Sequence, residues 1–168
     1  MTYTLGSASN LFSSDQLANA VPATTAQIKR LGVDNQLALL WFAYTEMGRS
    51  ITPAAPGAAR LQLAEGLLNQ IKQMSHEEQL QAMRDLATNA NTQISRSYGI
   101  LSVNTKLAFW YQLAELMNDG FVVPVPPSYQ MTRDAEKVFE MLKQLDFGQQ
   151  ITVLRNAVVD MGVDPLAD

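Results

Sequence analysis

The sequence predicts an all-α domain of two helical sub-bundles built by internal duplication. Three observations carry this. Apolar residues recur with helical spacing along nearly the whole chain, no stretch reads as a strong strand, and one helical unit occurs twice. In the stretch 36–48, Leu37, Leu40, Trp41 and Tyr44 fall at i, i+3, i+4 and i+7, which places two large aromatic rings on one helix face. Leu39 and Phe42 point elsewhere, so this helix is apolar on more than one side and is expected to be buried. Leu107, Trp110, Tyr111, Ala114 and Met117 repeat the spacing, and Ile151, Arg155, Val158 and Met161 repeat it again with Arg where the first copy has Trp. Residues 27–48 align without gaps on 141–162. Lys29/Lys143, Gln36/Gln150, Met47/Met161 and Gly48/Gly162 are identical pairs, and Glu46/Asp160 is a conservative one. Shared Gln, Met and terminal Gly are not explained by periodicity. The expectation is two related halves packed face to face, with a site where they meet.

Residues 2–21 predict a short amphipathic arm, with Ser14 or Asp15 capping its second piece. Pro22 opens the next helix, where its missing N–H costs nothing, and Leu31-Gly32 ends it. Asp34 is a candidate cap for the central helix and Gly48 for its end. The loop Ile51-Thr52-Pro53-Ala54-Ala55-Pro56-Gly57 follows, its small side chains suited to close backbone approach. Leu61, Ala64, Leu68 and Ile71 mark one helix. Ser75 and Glu78 form a capping box for the next, which carries Leu80, Met83 and Ala87. A shorter turn or helix spans about 92–98, with Gly99 after it. The second aromatic helix spans 102–118, and Gly120 stops it. Residues 121–129, with Pro124, Pro126 and Pro127, predict a stiff extended linker between the halves. Thr132 caps the penultimate helix, and Asp146 or Gly148 starts the last.

The 168 residues suffice for one domain, 1–168, with a substantial core. No apolar run reaches membrane-spanning length, and the N-terminus lacks the basic and apolar regions of a secretory signal, so a cytoplasmic protein is expected. There are no cysteines, which excludes disulfides, thiol catalysis and thiolate metal sites. A net charge of −4 and a pI near 4.9 argue against nucleic acid or an anionic membrane as the main partner.

Catalytic and metal-binding patterns are absent, and no enzyme is expected. His76, the single histidine, lies near a capping box and reads as a surface residue. Gln73 stands where a Glu-x-x-His di-metal motif needs its acid. There is neither a nucleophile elbow nor a phosphate loop. Glu46, Glu115 and Asp160 share the striped helices and read first as ion pairs at helix edges. The aromatic stripes read first as core from periodicity alone. Flat rings with polar tips, joined by the soft side chains of Met83, Met117 and Met161, would also suit a long apolar ligand.

Several longer strings are more specific. They are Val21-Pro22-Ala23-Thr24, the run from Asp34 to Tyr44, Ile51 to Ala59, Asn104 to Tyr111, Gly148 to Asn156, and Val159-Asp160-Met161-Gly162. On these the chain resembles the helical N-terminal domain of the orange carotenoid proteins of cyanobacteria. The family's mixed α/β second domain has no counterpart here, so the chain looks like a stand-alone helical relative. The resemblance implies a non-covalent keto-carotenoid of the canthaxanthin, echinenone or 3'-hydroxyechinenone type, held between two helical sub-bundles. It implies Leu37, Trp41, Tyr44, Trp110, Tyr111, Met117, Val125, Tyr129, Ile151 and Met161 as pigment contacts, with Gly57, Met83, Leu107, Pro126, Arg155 and Val158 as neighbours. It further implies photoprotection by singlet-oxygen quenching. The alternative is docking to the phycobilisome, at the thylakoid surface, as a quencher of excitation energy. A separate carotenoid-donor protein homologous to the missing domain is another implied partner. Family members dock through a surface near Arg155 and the Pro56-Gly57 loop. Arg155 and Asn156 are kept, but Ser9 replaces an N-terminal arginine and Arg60 a flanking Asn, so weak or no phycobilisome quenching is expected.

Overall fold

The computed structural model describes residues 19–47 and 61–166. The expected N-terminal caps Ser14 and Asp15, the end cap Gly48, the loop 51–57 with Gly57, and the positions Ser9 and Arg60 lie outside these residues. Eight helices are described, and no strand occurs among the described residues: α1 Ala20–Arg30, α2 Val33–Met47, α3 Leu61–Lys72, α4 His76–Ala87, α5 Gln93–Gly99, α6 Val103–Asn118, α7 Arg133–Gln144 and α8 Phe147–Val159.

Local chemistry sets most of the helix starts. The Ser75 hydroxyl accepts from the Glu78 N–H while the Glu78 carboxylate accepts from the Ser75 N–H, a reciprocal box that satisfies two otherwise unpaired donors. Asp146 and Gln149 make the same box at α8, which decides between the two starts expected there. Thr92, Ser102 and Thr132 each accept from the N–H three residues on. Two expectations shift. The first helix begins at Ala20, so Pro22 sits inside its first turn, where an N–H would lack an intrahelical partner anyway. Asp34 is not the cap of α2, because the helix already begins at Val33; it lies in the first turn, and its carboxylate accepts from Arg84 on α4.

The duplication is visible in the structure. Helices α1–α2 correspond to α7–α8, and both units turn the same corner. Leu31 and Leu145 leave their helices in extended conformation, each N–H bonding back three residues, to Ile28 and Leu142. Gln36 and Gln150 both reach back with Nε2 to carbonyls at that corner, at 2.8 Å to Leu31 and 3.2 Å to Leu142. The units exchange partners: α1 packs on α8 and α2 on α7, with α1 against α7 between them. Lys29 bonds Asp160 at 2.6 Å and Lys143 pairs with Glu46 at 3.6 Å, the same contact made twice by aligned residues. Two of the three acids singled out at helix edges therefore sit in ion pairs, and Glu115 is exposed.

This pairing corrects the expected division of the chain. The two sub-bundles are not the N- and C-terminal halves. One is made of α1, α2, α7 and α8; the other, α3–α6, is the intervening stretch, in which α3 packs on α6 and α4 on α5. Residues 121–129 carry the chain back from the second bundle to the first. The duplicated units turn their apolar faces on each other, with Phe42 of α2 and Phe139 of α7 at 6.3 Å between ring centroids. They therefore do not flank a site from opposite sides.

The two bundles are tied at α5. Gly162 adopts φ +73°, and its N–H bonds the Leu86 carbonyl at 2.9 Å. A Cβ there would stand 2.7 Å from a ring carbon of Tyr98 and 2.8 Å from the Ser95 carbonyl oxygen. Gly162→Ala combines left-handed strain with that collision and is expected to cost about 2 kcal/mol or more. Urea unfolding followed by far-UV circular dichroism checks it; an unchanged midpoint would mean the segment relaxes freely.

Candidate functional site

An apolar cleft runs between the two bundles. One wall is α2, which presents Leu37, Leu40, Trp41 and Tyr44, the stripe read from the sequence, together with Ala38 and Ala43. The opposite wall is α6, with Leu107, Trp110, Tyr111, Ala114 and Met117. Leu80, Met83 and Arg84 of α4 and residues 123–126 with Tyr129 complete it, and Leu154 is the contribution of α8. The cleft, with the solvent at its mouth, encloses about 1160 Å³. Asp34 and Arg84 are the charged residues along its lining among the described residues.

Why α2 can serve as a wall follows from its sequence. Leu39 and Phe42 turn into its own bundle, leaving the stripe on the other side without a partner helix in that bundle. Trp41, Leu40 and Tyr44 stay half-buried as a result. The rings form a connected surface: Trp41 stacks on Tyr44 at 5.9 Å between centroids, and Tyr44 meets Tyr111 of α6 edge-on at 5.4 Å. Such contacts hold aromatic faces in defined orientations.

Trp110 is held from behind. Its Nε1–H donates to the Tyr98 hydroxyl at 3.0 Å, and that hydroxyl donates to the Val158 carbonyl. Tyr98 is fully buried, and burial pushes its ionisation far above the ordinary phenol range, so it stays a neutral relay. Lys106 closes the same corner, donating to the Val159 carbonyl at 2.8 Å with its ammonium over the Tyr98 ring. Desolvation draws its pKa below the usual lysine value.

The proline-containing segment is fixed by one buried amide. Gln79 donates to the Ile71 and Phe121 carbonyls and accepts from the Val123 N–H at 2.9 Å. All its bonds are made inside the protein, so residues 121–123 cannot drift from α3 and α4 without leaving polar groups unpaired. Farther along, the Tyr129 hydroxyl donates to the Asn35 carbonyl oxygen at 2.8 Å, and the Asn35 amide donates to Thr132.

Of the residues proposed from sequence, Leu37, Trp41, Tyr44, Met83, Leu107, Trp110, Tyr111, Met117, Val125, Pro126 and Tyr129 come together on this lining. Ile151, Arg155, Val158 and Met161 are not on it. Val158 is 0% exposed and Met161 5% exposed in the core, and Ile151 is half-buried. Arg155 is half-buried, and its Nε is enclosed without a hydrogen-bond partner. Gly57 lies outside the described residues. Sequence reading passed over Leu80, Asp34 and Arg84 as lining residues and Tyr98 as the support of Trp110. Leu80 shares the stripe of Met83 and was legible; the others depend on tertiary contacts.

Among the described residues, no group of three or more His, Asp or Glu side chains is placed to hold a metal ion, and no helix is long and apolar enough to cross a membrane. Tyr98→Phe removes the acceptor of the Trp110 N–H and the donor to Val158, and is expected to destabilise by about 1–3 kcal/mol. Urea titration read by tryptophan fluorescence tests this; a wild-type midpoint would show that the bond carries no net stability.

The comparisons with known proteins agree on one family. The model described as "Orange carotenoid protein, N-terminal" matches residues 14–164. An orange carotenoid-binding domain-containing protein of Nostoc sp. is 70% identical over 171 aligned positions that cover all of both chains. The orange carotenoid-binding protein of Synechocystis sp. is 52% identical over 96% of this chain, and the chain spans 51% of its length. Among solved structures, the red carotenoid protein of Anabaena (Nostoc) sp. binding canthaxanthin superimposes with a TM-score of 0.75 at 41% identity, covering 86% of this chain and 99% of that one. The orange carotenoid protein of the same organism binding canthaxanthin gives 0.81 at 54% identity, covering 96% of this chain and 52% of that one.

Proposed function

The chain belongs to the orange carotenoid protein N-terminal family, and on that premise we propose that it holds one keto-carotenoid in the cleft between α2 and α6. The observation that carries the reading is the lining itself: a continuous apolar and aromatic surface with almost no free polarity. Trp110 has already spent its N–H on Tyr98, so it offers a ring and not a donor. A polyene presents no hydrogen-bonding groups along its length, so its affinity must come from apolar burial, at roughly 25 cal/mol per Å². The 15-residue helix α2 spans about 22 Å at ~1.5 Å per residue. It can therefore face an extended chain along much of its length.

The lining residues would act as positioning groups. Trp41, Tyr44, Trp110 and Tyr111 offer flat faces, Leu37, Leu107 and Val125 fill the walls, and Met83 and Met117 adapt to the remaining shape. Pro126 and Tyr129 would meet the ligand at the returning segment. Gly57, Ile151, Arg155, Val158 and Met161 stand as neighbours on the strength of the family resemblance; Val158 reaches the cleft through Tyr98 and Trp110. The bound pigment supplies a low-lying triplet state that accepts energy from singlet oxygen, which makes photoprotection in the cyanobacterial cytoplasm the proposed role. The protein's part is solubility, orientation and exclusion of water. Canthaxanthin-loaded protein is expected to shorten the phosphorescence lifetime of singlet oxygen relative to the apo form, and Trp110→Ala to lower pigment occupancy. Equal lifetimes, or an uncoloured protein from a carotenoid-producing host, would overturn the reading.

A docked antenna quencher is the second reading, and Arg155 bears on it. Arg155 is half-buried with its Nε enclosed, and Ser9 and Arg60 stand where docking members of the family carry an arginine and an asparagine. We therefore expect holo protein to leave phycobilisome fluorescence nearly unchanged at low and high salt. Strong quenching that disappears in Arg155→Leu would reverse the order of the two readings.

A further inference from the structure

We infer that the Asp34–Arg84 ion pair is a latch that sets how fast the cleft exchanges its ligand. The inference rests on the proposed carotenoid site and concerns its kinetics. Asp34 stands in the first turn of α2 and Arg84 on α4, and both line the cleft. Their contact is bidentate: Nε donates to Oδ1 at 2.9 Å and Nη2 to Oδ2 at 3.0 Å. This fork joins the two helices through two parallel hydrogen bonds of defined geometry. It joins one element of each bundle, so it spans the boundary at which the cleft would have to widen. The other three ion pairs among the described residues differ. Lys29–Asp160 and Lys143–Glu46 tie the duplicated units within one bundle, and Lys143–Glu140 lies within one helix.

The place of the pair in the cleft suggests its use. An apolar closure would have to be torn from its neighbours to let a rigid polyene pass, whereas two half-exposed charges can part and be hydrated separately. The side chains are 38% and 48% exposed, so water can take over both partners as they separate. A pair of this exposure contributes little to stability, typically under ~1 kcal/mol, and is weakened by salt. Next to it, the Tyr129–Asn35–Thr132 hydrogen bonds hold the returning segment to the same turn of α2, so that segment stays in place when the pair parts. Opening and closing the latch changes the path in and the path out alike. It should therefore alter rates in both directions with little change in equilibrium occupancy.

The test loads the 168-residue chain with canthaxanthin and follows its transfer to phosphatidylcholine vesicles, and its uptake from them, by visible absorbance. Asp34→Asn and Arg84→Gln are each expected to speed both directions by roughly two- to five-fold, the range set by the energy of a half-exposed pair. Wild-type protein should show the same acceleration between low and high potassium chloride, and the variants should lose that salt response. The charge swap Asp34→Arg with Arg84→Asp should restore slow exchange. Lys29→Gln, which breaks an ion pair remote from the cleft, should exchange at the wild-type rate. Thermal melts of the apo proteins confirm that each variant folds, and the salt series on wild-type protein stands even where one does not. Loading that works while rates ignore salt and both substitutions would overturn the latch and leave the carotenoid site standing. Failure of wild-type protein to take up canthaxanthin at all would overturn both.

Discussion

Helix α2 is apolar on two faces, and its own bundle supplies a partner for one of them. Leu39 and Phe42 are met by α7 and the core around it. The stripe from Leu37 to Tyr44 is left facing α4 and α6, which belong to the other bundle. A helix of this kind cannot sit at a surface, and it cannot be fully enclosed without a second apolar layer. The cleft is the compromise. Its second layer is present but stands off, and the aromatic side chains bridge part of the gap through Trp41, Tyr44 and Tyr111. Everything that positions α6 and residues 121–129 then becomes a condition on the cleft. Gln79, Tyr98 and Gly162 lie outside its lining and yet determine its shape.

The duplication explains why the first bundle tolerates that demand. Two copies of a helical corner exchange partners, each first helix packing on the other copy's second, and one charged contact is made twice. The reciprocal pairs Lys29–Asp160 and Lys143–Glu46 are a direct sign of it. Such surface-lying ion pairs contribute little energy, but they are specific for one way of joining the units. With the relation secured, the copies were free to diverge on their outer faces. Trp41 in α2 faces the cleft, while its counterpart Arg155 in α8 is half-buried with its Nε unpaired. The asymmetry of the site is thus an asymmetry between two copies of one element.

The helices were legible because their signals are local. Ser75 with Glu78, Thr132 and Asp146 are read from a few residues each, and the stripes from a dozen. The aromatic lining was legible too, since Trp41/Tyr44 and Trp110/Tyr111 share a spacing. What the sequence did not reveal was the partner of each face. A stripe says that a face is buried; it does not say against which helix. Hence the units expected on opposite sides of a ligand proved to pack on each other. Asp34, read as a cap, proved to be one end of a contact whose other end lies on α4, and no local pattern connects those positions. Tyr98, on a seven-residue helix, has no periodicity by which its bond to Trp110 could be anticipated.

The interleaved order of the bundles has a consequence for how the chain is made. Helices α1 and α2 leave the ribosome early, while α7 and α8, which cover one apolar face of α2, come after the whole α3–α6 stretch. At a synthesis rate of roughly 5–20 residues per second the interval is on the order of ten seconds. During that time α3–α6 can assemble from contacts close in sequence, which form readily. The first bundle must instead close a long loop around a finished neighbour. Leu39 and Phe42 wait uncovered until it does. The two walls of the cleft are consequently set on different schedules, and the wall carrying Trp41 and Tyr44 is the last to be fixed.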